Sequence, residues 1–311
     1  MRPASRPYGA PFDDEGPTTP DDARLRPRTI RVGRVEQVTI HHVDTGAVPD
    51  VPEGPAVVLL PGVVSTHRYF RENIGPLAAR HRVIAPDLPG FGRSEKPDAP
   101  YTPDWFAERL LDFLDAKGIA RAHLVGNSLG GQVAMRVAAA HPSRVGRLVL
   151  VAPAGFMPYT EVLTRVMGLA GLAAFPERGL PRLPRIPRPA LGLLFRAAFP
   201  TRPDLVERWV RGYAAGVASP EYPLYVRAAF RAMRGSLQTP MEETARAIAA
   251  PTLIMWGARD RILPPAAARP LARAIPGAQL IVYADAGHCP MIDQAARWND
   301  DVIRFLAAED G

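Results

Sequence analysis

The sequence predicts an α/β fold: a mostly parallel central sheet flanked by helices, with a helical lid inserted late in the chain. Three observations predict it. Short, continuously apolar runs alternate with helix-length amphipathic segments. Gly126-Asn127-Ser128-Leu129-Gly130-Gly131 reads as strand, tight turn and helix, with a serine at the apex. The alternation stops at Pro153 and resumes at Thr252, so one long segment interrupts a sheet that is completed afterwards.

The elements follow in order. Residues 1–28 are rich in Pro, Asp, Gly and Arg without apolar period and read as a flexible tail. Arg31-Val32-Gly33 and 37–42 read as two short strands with a turn around 33–36. Residues 56–60 (Ala-Val-Val-Leu-Leu) form a run apolar throughout, as a strand covered on both faces requires. A helix is predicted over 71–80, a buried strand over 82–86, and a helix over 102–117 that opens on Pro103 and stops at Gly118. Strand 123–126 leads through the serine turn into helix 129–140, and strand 147–151 follows. Residues 153–240 form the lid. Pro181, Pro184, Pro187 and Pro189 exclude one long helix there, and 168–175, 191–199 and 204–213 read as short helices. Strand 252–257, helix 266–275, strand 279–283 and helix 299–308 complete the chain. The core is thus 29–152 together with 241–311.

Composition bounds the function. The chain has 311 residues and a net charge of +7. Residues 151–237 hold 12 arginines, no lysine and 5 acidic residues, so the excess charge belongs to the lid. No nucleic-acid motif accompanies it, and the reading is a solvated face, or attraction for an anionic ligand or an acidic membrane surface. The single cysteine, Cys289, allows no internal disulfide. No apolar segment approaches the roughly 18 residues of a membrane span, and no leader pattern opens the chain, so a cytoplasmic location is expected. No zinc or P-loop spacing occurs; no metal or cofactor is expected.

The chemistry centres on Ser128. A serine hydroxyl needs a base within hydrogen-bond reach and a group that orients the base. His288 follows strand 279–283, and Asp260 follows strand 252–257; both sit past strand carboxyl ends, where a parallel sheet gathers ligands. The chain order Ser128, Asp260, His288 suits a nucleophile elbow. Asp285 and Asp293 are rival acids beside the base. Asp87 follows a strand inside a glycine-rich loop and reads as structural. The Leu129 amide, at a helix start, and the Val63 amide, in the loop after Leu60, are the expected oxyanion donors. His67 and Tyr69 are placed at the pocket entrance, and Trp209 in the lid is an apolar pocket residue.

These motifs resemble the α/β-hydrolase superfamily over about 29–308. The resemblance rests on Leu60-Pro61-Gly62, on Asp87-Leu88-Pro89-Gly90-Phe91-Gly92-Arg93-Ser94, on the serine turn, on Trp256-Gly257-Ala258-Arg259-Asp260, and on Gly287-His288-Cys289-Pro290. A serine at the elbow departs from the epoxide-hydrolase and haloalkane-dehalogenase branches, which attack with a carboxylate. Gly-Asn-Ser-x-Gly-Gly is similar to carbon–carbon bond hydrolases of ring-cleavage products. Those enzymes usually carry a more glycine-rich oxyanion loop and a tryptophan after the base, where this chain has Cys289. Cofactor-independent haloperoxidase-like members share the same triad. The resemblance implies a serine hydrolase, read first as a carboxylesterase working through an acyl-enzyme on a small substrate with an apolar acyl or aromatic group. The alternatives are carbon–carbon cleavage of a vinylogous diketone, and a binding protein with a vestigial triad. The oligomeric state is left open.

Overall fold

The chain opens as an antiparallel ribbon. β1 (Pro27–Val32) pairs with β2 (Val38–Asp44), from Pro27 opposite Val43 to Val32 opposite Val38. The computed structural model describes residues 27–33, 37–48, 54–156, 188–217 and 219–308. β3 (Ala56–Leu60) is buried at every position, as its unbroken apolar run demands. A helical turn leads into α1 (Arg71–Ala78), and β4 (Val83–Pro86) follows.

α2 (Pro103–Ala116) forms where an apolar stripe meets a strong start signal. The Thr102 hydroxyl accepts the Trp105 N–H at 3.2 Å, a cap worth about 1 kcal/mol. Pro103 stands in the first turn, where a missing N–H costs nothing. Its buried face is Trp105, Phe106, Leu110, Phe113 and Leu114. The chain then forms β5 (Ala122–Asn127), α3 (Leu129–Ala140) and β6 (Val145–Val151).

Three helices of the insertion are described: α4 (Arg188–Ala198), α5 (Pro203–Val217) and α6 (Tyr222–Gln238). After α7 (Glu242–Arg246) come β7 (Thr252–Gly257), α8 (Ala268–Ala274), β8 (Gln279–Tyr283), α9 (Pro290–Asp293) and α10 (Ala295–Ala307).

The strand order is β1-β2-β4-β3-β5-β6-β7-β8. β2 meets β4 antiparallel, and every pairing from β4 to β8 is parallel. β7 lies directly beside β6, with Val151 opposite Met255, although the insertion separates them in sequence. The chain therefore leaves the carboxyl end of β6 for the insertion and returns to the amino end of the neighbouring parallel strand β7. One apolar layer packs α2 and α3 on the sheet through Phe106, Phe113, Leu129 and Val133. The other joins Phe70, Ile74 and Trp298 to Phe195, Phe199 and Trp209 of the insertion. Each fully buried leucine or phenylalanine contributes roughly 1.5–3 kcal/mol, so the insertion is fastened by its own core residues.

Several expectations move. The sheet begins at Pro27, inside the stretch read as tail, because residues 27 and 28 pair with Val43 and His42. α1 ends at Ala78 rather than 80, α8 starts at Ala268 rather than 266, and α10 starts at Ala295 rather than 299. α6 lies beyond the three short helices expected for the insertion. Pro223 occupies the first turn, and Gly235 packs against the backbone of Tyr101 and Thr102. The helix expected over 168–175 lies outside the described residues. Among the described residues, no helix is long and apolar enough to cross a membrane.

Candidate active site

Ser128 stands between β5 and α3 with φ 53° and ψ −117°, a left-handed backbone that an L-residue adopts only under constraint. The constraint is visible. Its N–H donates to the Val151 carbonyl at 3.0 Å, and its carbonyl accepts from Gln132 and Ala154 at 3.1 and 3.0 Å. The flanking glycines serve close packing: a Cβ on Gly130 would lie 2.2 Å from the Leu60 carbonyl oxygen. The turn thus holds the serine proud of the backbone at the start of α3.

The acid and base loops are joined before their side chains meet. Ala258 N–H donates to the Tyr283 carbonyl at 2.8 Å, and Arg259 N–H to the Ala286 carbonyl at 2.9 Å. Asp260 Oδ2 and His288 Nδ1 then lie 2.8 Å apart. The other oxygen, Asp260 Oδ1, accepts the Ile262 and Leu263 N–H groups at 2.8 and 2.9 Å. Ser128, Asp260 and His288 are 9%, 6% and 7% exposed. Both rival acids are engaged elsewhere: Asp285 pairs with Arg259 on the surface at 2.5 Å, and Asp293 binds the backbone of Gly287.

Asn127 supplies a link that the sequence reading assigned to no one. Its Nδ2 donates to the Val151 carbonyl at 3.1 Å and to the His288 carbonyl at 3.2 Å. The residue before the serine therefore ties the elbow to the backbone of the base.

The loop after β3 passes against the elbow. A Cβ on Gly62 would come within 3.2 Å of the Ser128 Cβ. Val63 follows Gly62 in that loop, and Leu129 opens α3, so its N–H has no partner within the helix. The loop is pinned along its length. Ser65 Oγ donates to the Gly62 carbonyl at 2.7 Å, and Tyr225 of α6 donates its hydroxyl to the Val64 carbonyl at 3.3 Å. At its far end the His67 N–H donates to Asp87 Oδ1 at 2.8 Å.

Asp87 sits at the centre of a buried cluster. His67 Nδ1 lies 2.8 Å from one oxygen and His41 Nδ1 3.2 Å from the other, which also accepts the Arg93 N–H at 3.0 Å. Burial alone would raise this carboxyl; His67 and His41 beside it outweigh burial and hold it well below the usual carboxylate range. The three residues have the types of a metal site. Both carboxylate oxygens, however, are already taken by backbone N–H groups, and the arrangement is a hydrogen-bonded brace for the loop. The sequence reading of Asp87 as structural agrees with this brace. His67, placed at the pocket entrance from sequence, is committed to Asp87. Tyr69 and Trp209 do come together, ring edge to ring face, with centroids 4.5 Å apart.

Cys289 is buried beside the base. Burial first, then the Asp260 and Asp293 carboxylates, push its thiol well above its ordinary value, so it is no nucleophile at neutral pH.

Residues 55–295 match the α/β-hydrolase fold family. The 2-hydroxymuconate semialdehyde hydrolase of Pseudomonas sp. strain CF600 is 36% identical over 253 residues, covering 75% of this chain and 79% of that enzyme. The 2-hydroxy-6-oxo-6-phenylhexa-2,4-dienoate hydrolase of Burkholderia cepacia is 31% identical over 290 residues, 90% of this chain and 95% of its own length. Among solved structures, a meta-cleavage product hydrolase from Pseudomonas fluorescens IP01 superposes with a TM-score of 0.72 at 26% identity, covering 91% of this chain and 98% of that one. The elbow, the sheet order and these matches agree, and the chain belongs to the α/β-hydrolase family.

Proposed function

We propose that this chain is a serine-dependent hydrolase that cleaves a carbon–carbon bond next to a ketone in an acidic, vinylogous diketone. The observation that carries the reading is its identity, at 36% across three quarters of both lengths, to a hydrolase of 2-hydroxymuconate semialdehyde. The carboxylesterase expected first from the sequence gives way to this alternative. The arginine excess of 151–237 supports it, because a dienoate substrate carries a carboxylate that such a field attracts.

Ser128, Asp260 and His288 carry the chemistry in this reading. His288 takes the Ser128 proton at Nε2 while Asp260 holds Nδ1. The substrate's 2-enol first passes its proton to the carbon beside the reacting carbonyl, giving the keto tautomer. Ser128 Oγ then adds to that ketone or aldehyde carbon, and the charge that develops on its oxygen meets the Val63 and Leu129 amides. The carbon–carbon bond then breaks, its electron pair enters the conjugated ketone, and the departing carbon takes the proton from His288. Water, deprotonated by His288, splits the remaining serine ester into a carboxylic acid and free Ser128. Tyr69 and Trp209 offer an apolar wall for the substrate. The helical insertion acts as a lid over the site.

Ester hydrolysis is the second reading, favoured by one observation: buried Cys289 follows the base where ring-cleavage hydrolases usually carry tryptophan. The test is a comparison of kcat/KM for a 2-hydroxy-6-oxohexa-2,4-dienoate, read by loss of its visible chromophore, and for p-nitrophenyl acetate. The proposal expects the dienoate to be preferred by at least about a hundredfold, near 3 kcal/mol of transition-state discrimination. Preference for the ester moves the assignment to a carboxylesterase.

A further inference from the structure

The backbone on either side of His288 is held from the insertion. Cys289 N–H donates to the Ala198 carbonyl, the last residue of α4, at 3.2 Å. Gly287 N–H donates to Asp293 Oδ2 at 2.8 Å. The other oxygen, Asp293 Oδ1, accepts from Thr201 twice: from the hydroxyl at 2.5 Å and from the N–H at 3.1 Å. Thr201 lies in the turn between α4 and α5. That turn presses flat against the base: a Cβ on Gly287 would come within 2.4 Å of Pro200 Cδ and 2.7 Å of the Ala198 carbonyl oxygen. Arg202 fixes the same turn to the core, gripping both oxygens of Glu72 at 2.9 and 3.1 Å and the Ile292 carbonyl at 3.2 Å.

Asp293 is buried, and its two oxygens serve different structural units: Oδ2 accepts from Gly287 and Oδ1 from Thr201 of the insertion. A residue needed only to cap the helix that follows it, α10, would not reach across to the insertion. A buried acceptor shared between a donor from the insertion and the amide before the base transmits the position of one to the other. Resting on the assignment of His288 as the base, we infer that Asp293 is a positioning residue that couples the 198–202 turn of the insertion to His288. With the turn seated, the Gly287 amide is fixed and the imidazole is aimed along the Asp260–Ser128 line. With the short Thr201 hydroxyl bond lost and only the 3.1 Å N–H bond left, Asp293 is held less firmly, Gly287 is less well fixed, and the base loses its aim while the fold persists. The insertion is then more than a cover: its seating completes the proton-transfer geometry.

The test reads the base without requiring the natural substrate. The rate constant for labelling Ser128 with a fluorophosphonate is measured for the full-length protein and for Thr201→Val, Thr201→Ser, Asp293→Asn and Arg231→Gln, each beside its melting temperature. Arg231 ties α6 to Asp98 and Ala99, remote from the base, and controls for general loosening of the insertion. Thr201→Val is expected to slow the covalent step about tenfold, with the reversible binding term unchanged and the protein folded. Thr201→Ser keeps the hydroxyl and is expected to label at the native rate, as is Arg231→Gln. Asp293→Asn is expected to slow labelling at least as much; if it does not fold, the Thr201 pair carries the test. A native rate for Thr201→Val overturns the inference and leaves the catalytic assignment standing. Slowing by Thr201→Ser or Arg231→Gln equal to that by Thr201→Val also overturns it, because packing alone then explains the loss. Absence of labelling on the native protein sinks the catalytic assignment and the coupling with it.

Discussion

Asp260 divides its carboxylate between the base and its own loop: Oδ2 lies 2.8 Å from His288 Nδ1, while Oδ1 is held by the Ile262 and Leu263 amides. The acid cannot rotate without breaking those backbone bonds. An accepting carboxylate requires the proton on Nδ1, which leaves Nε2 as the acceptor for a serine proton. Asp260→Asn keeps the shape but offers an amide donor to Nδ1 and reverses the tautomer. Turnover is expected to fall about 10,000-fold with little change in melting temperature. An unchanged rate in a folded variant contradicts the triad.

Asn127 is a second joint of the site. Asn127→Ala leaves the Val151 and His288 carbonyls short of the donor they share. Unmade buried hydrogen bonds cost roughly 1–3 kcal/mol, and a freer base lowers turnover as well. Denaturant unfolding and steady-state kinetics on the same preparation read both. A variant with native stability would show that these bonds are replaced by water.

The elbow stores strain that glycine relieves. Ser128 has φ 53°. Ser128→Ala retains a Cβ and its strain, whereas Ser128→Gly removes both. The glycine variant is expected to be more stable than the alanine variant by about 1 kcal/mol, despite its greater unfolded entropy, while both are inactive. Differential scanning calorimetry of the two inactive proteins gives the sign directly.

His42 sets an acid limit on stability. Buried against Phe113 and beside Lys117, its imidazole is pushed down from 6.5 to about 4, chiefly by burial and then by Lys117. The unfolded chain therefore binds the extra proton first as pH falls. This part of the stability is complete above pH 6.5 and drains away between 6.5 and about 4. Asp44 and Asp87, both held below the usual carboxylate range against the cost of their burial, add their losses only at lower pH, below 3.8. His42→Phe is expected to flatten the stability profile between those two pH values. A profile as steep as the native one assigns the loss to another group.

The sequence carried much of this architecture, and its failures have physical causes. Ala56–Leu60 and the elbow were legible because a two-face-buried strand and a strained turn each demand a particular residue pattern. Ser128, Asp260 and His288 are proposed as the triad because each follows a strand end; of these the structure brings Asp260 and His288 into hydrogen-bond contact. α6 was not named among the expected helices; its Pro223 is harmless in the first turn, and its Gly235 lets the helix approach the backbone of Tyr101 and Thr102. Asp293, Thr201 and Tyr225 carry no motif, and the serine-turn motif that contains Asn127 does not say what its side chain binds: their roles arise from contacts between segments 24 to 161 residues apart, which no local pattern records. His67 was placed at the entrance by proximity to the oxyanion loop. Its attachment to Asp87 depends on strand β4 lying beside β3, a fact of sheet order.

In the proposed reaction one serine hydroxyl performs the bond cleavage. Native protein and Ser128→Ala, both verified as folded, are compared for consumption of a 2-hydroxy-6-oxohexa-2,4-dienoate under single-turnover conditions. The alanine variant is expected to bind the dienoate but to cleave it at least about a thousandfold more slowly, as a reaction that depends on this hydroxyl requires. Cleavage by Ser128→Ala within a few-fold of the native rate would contradict it.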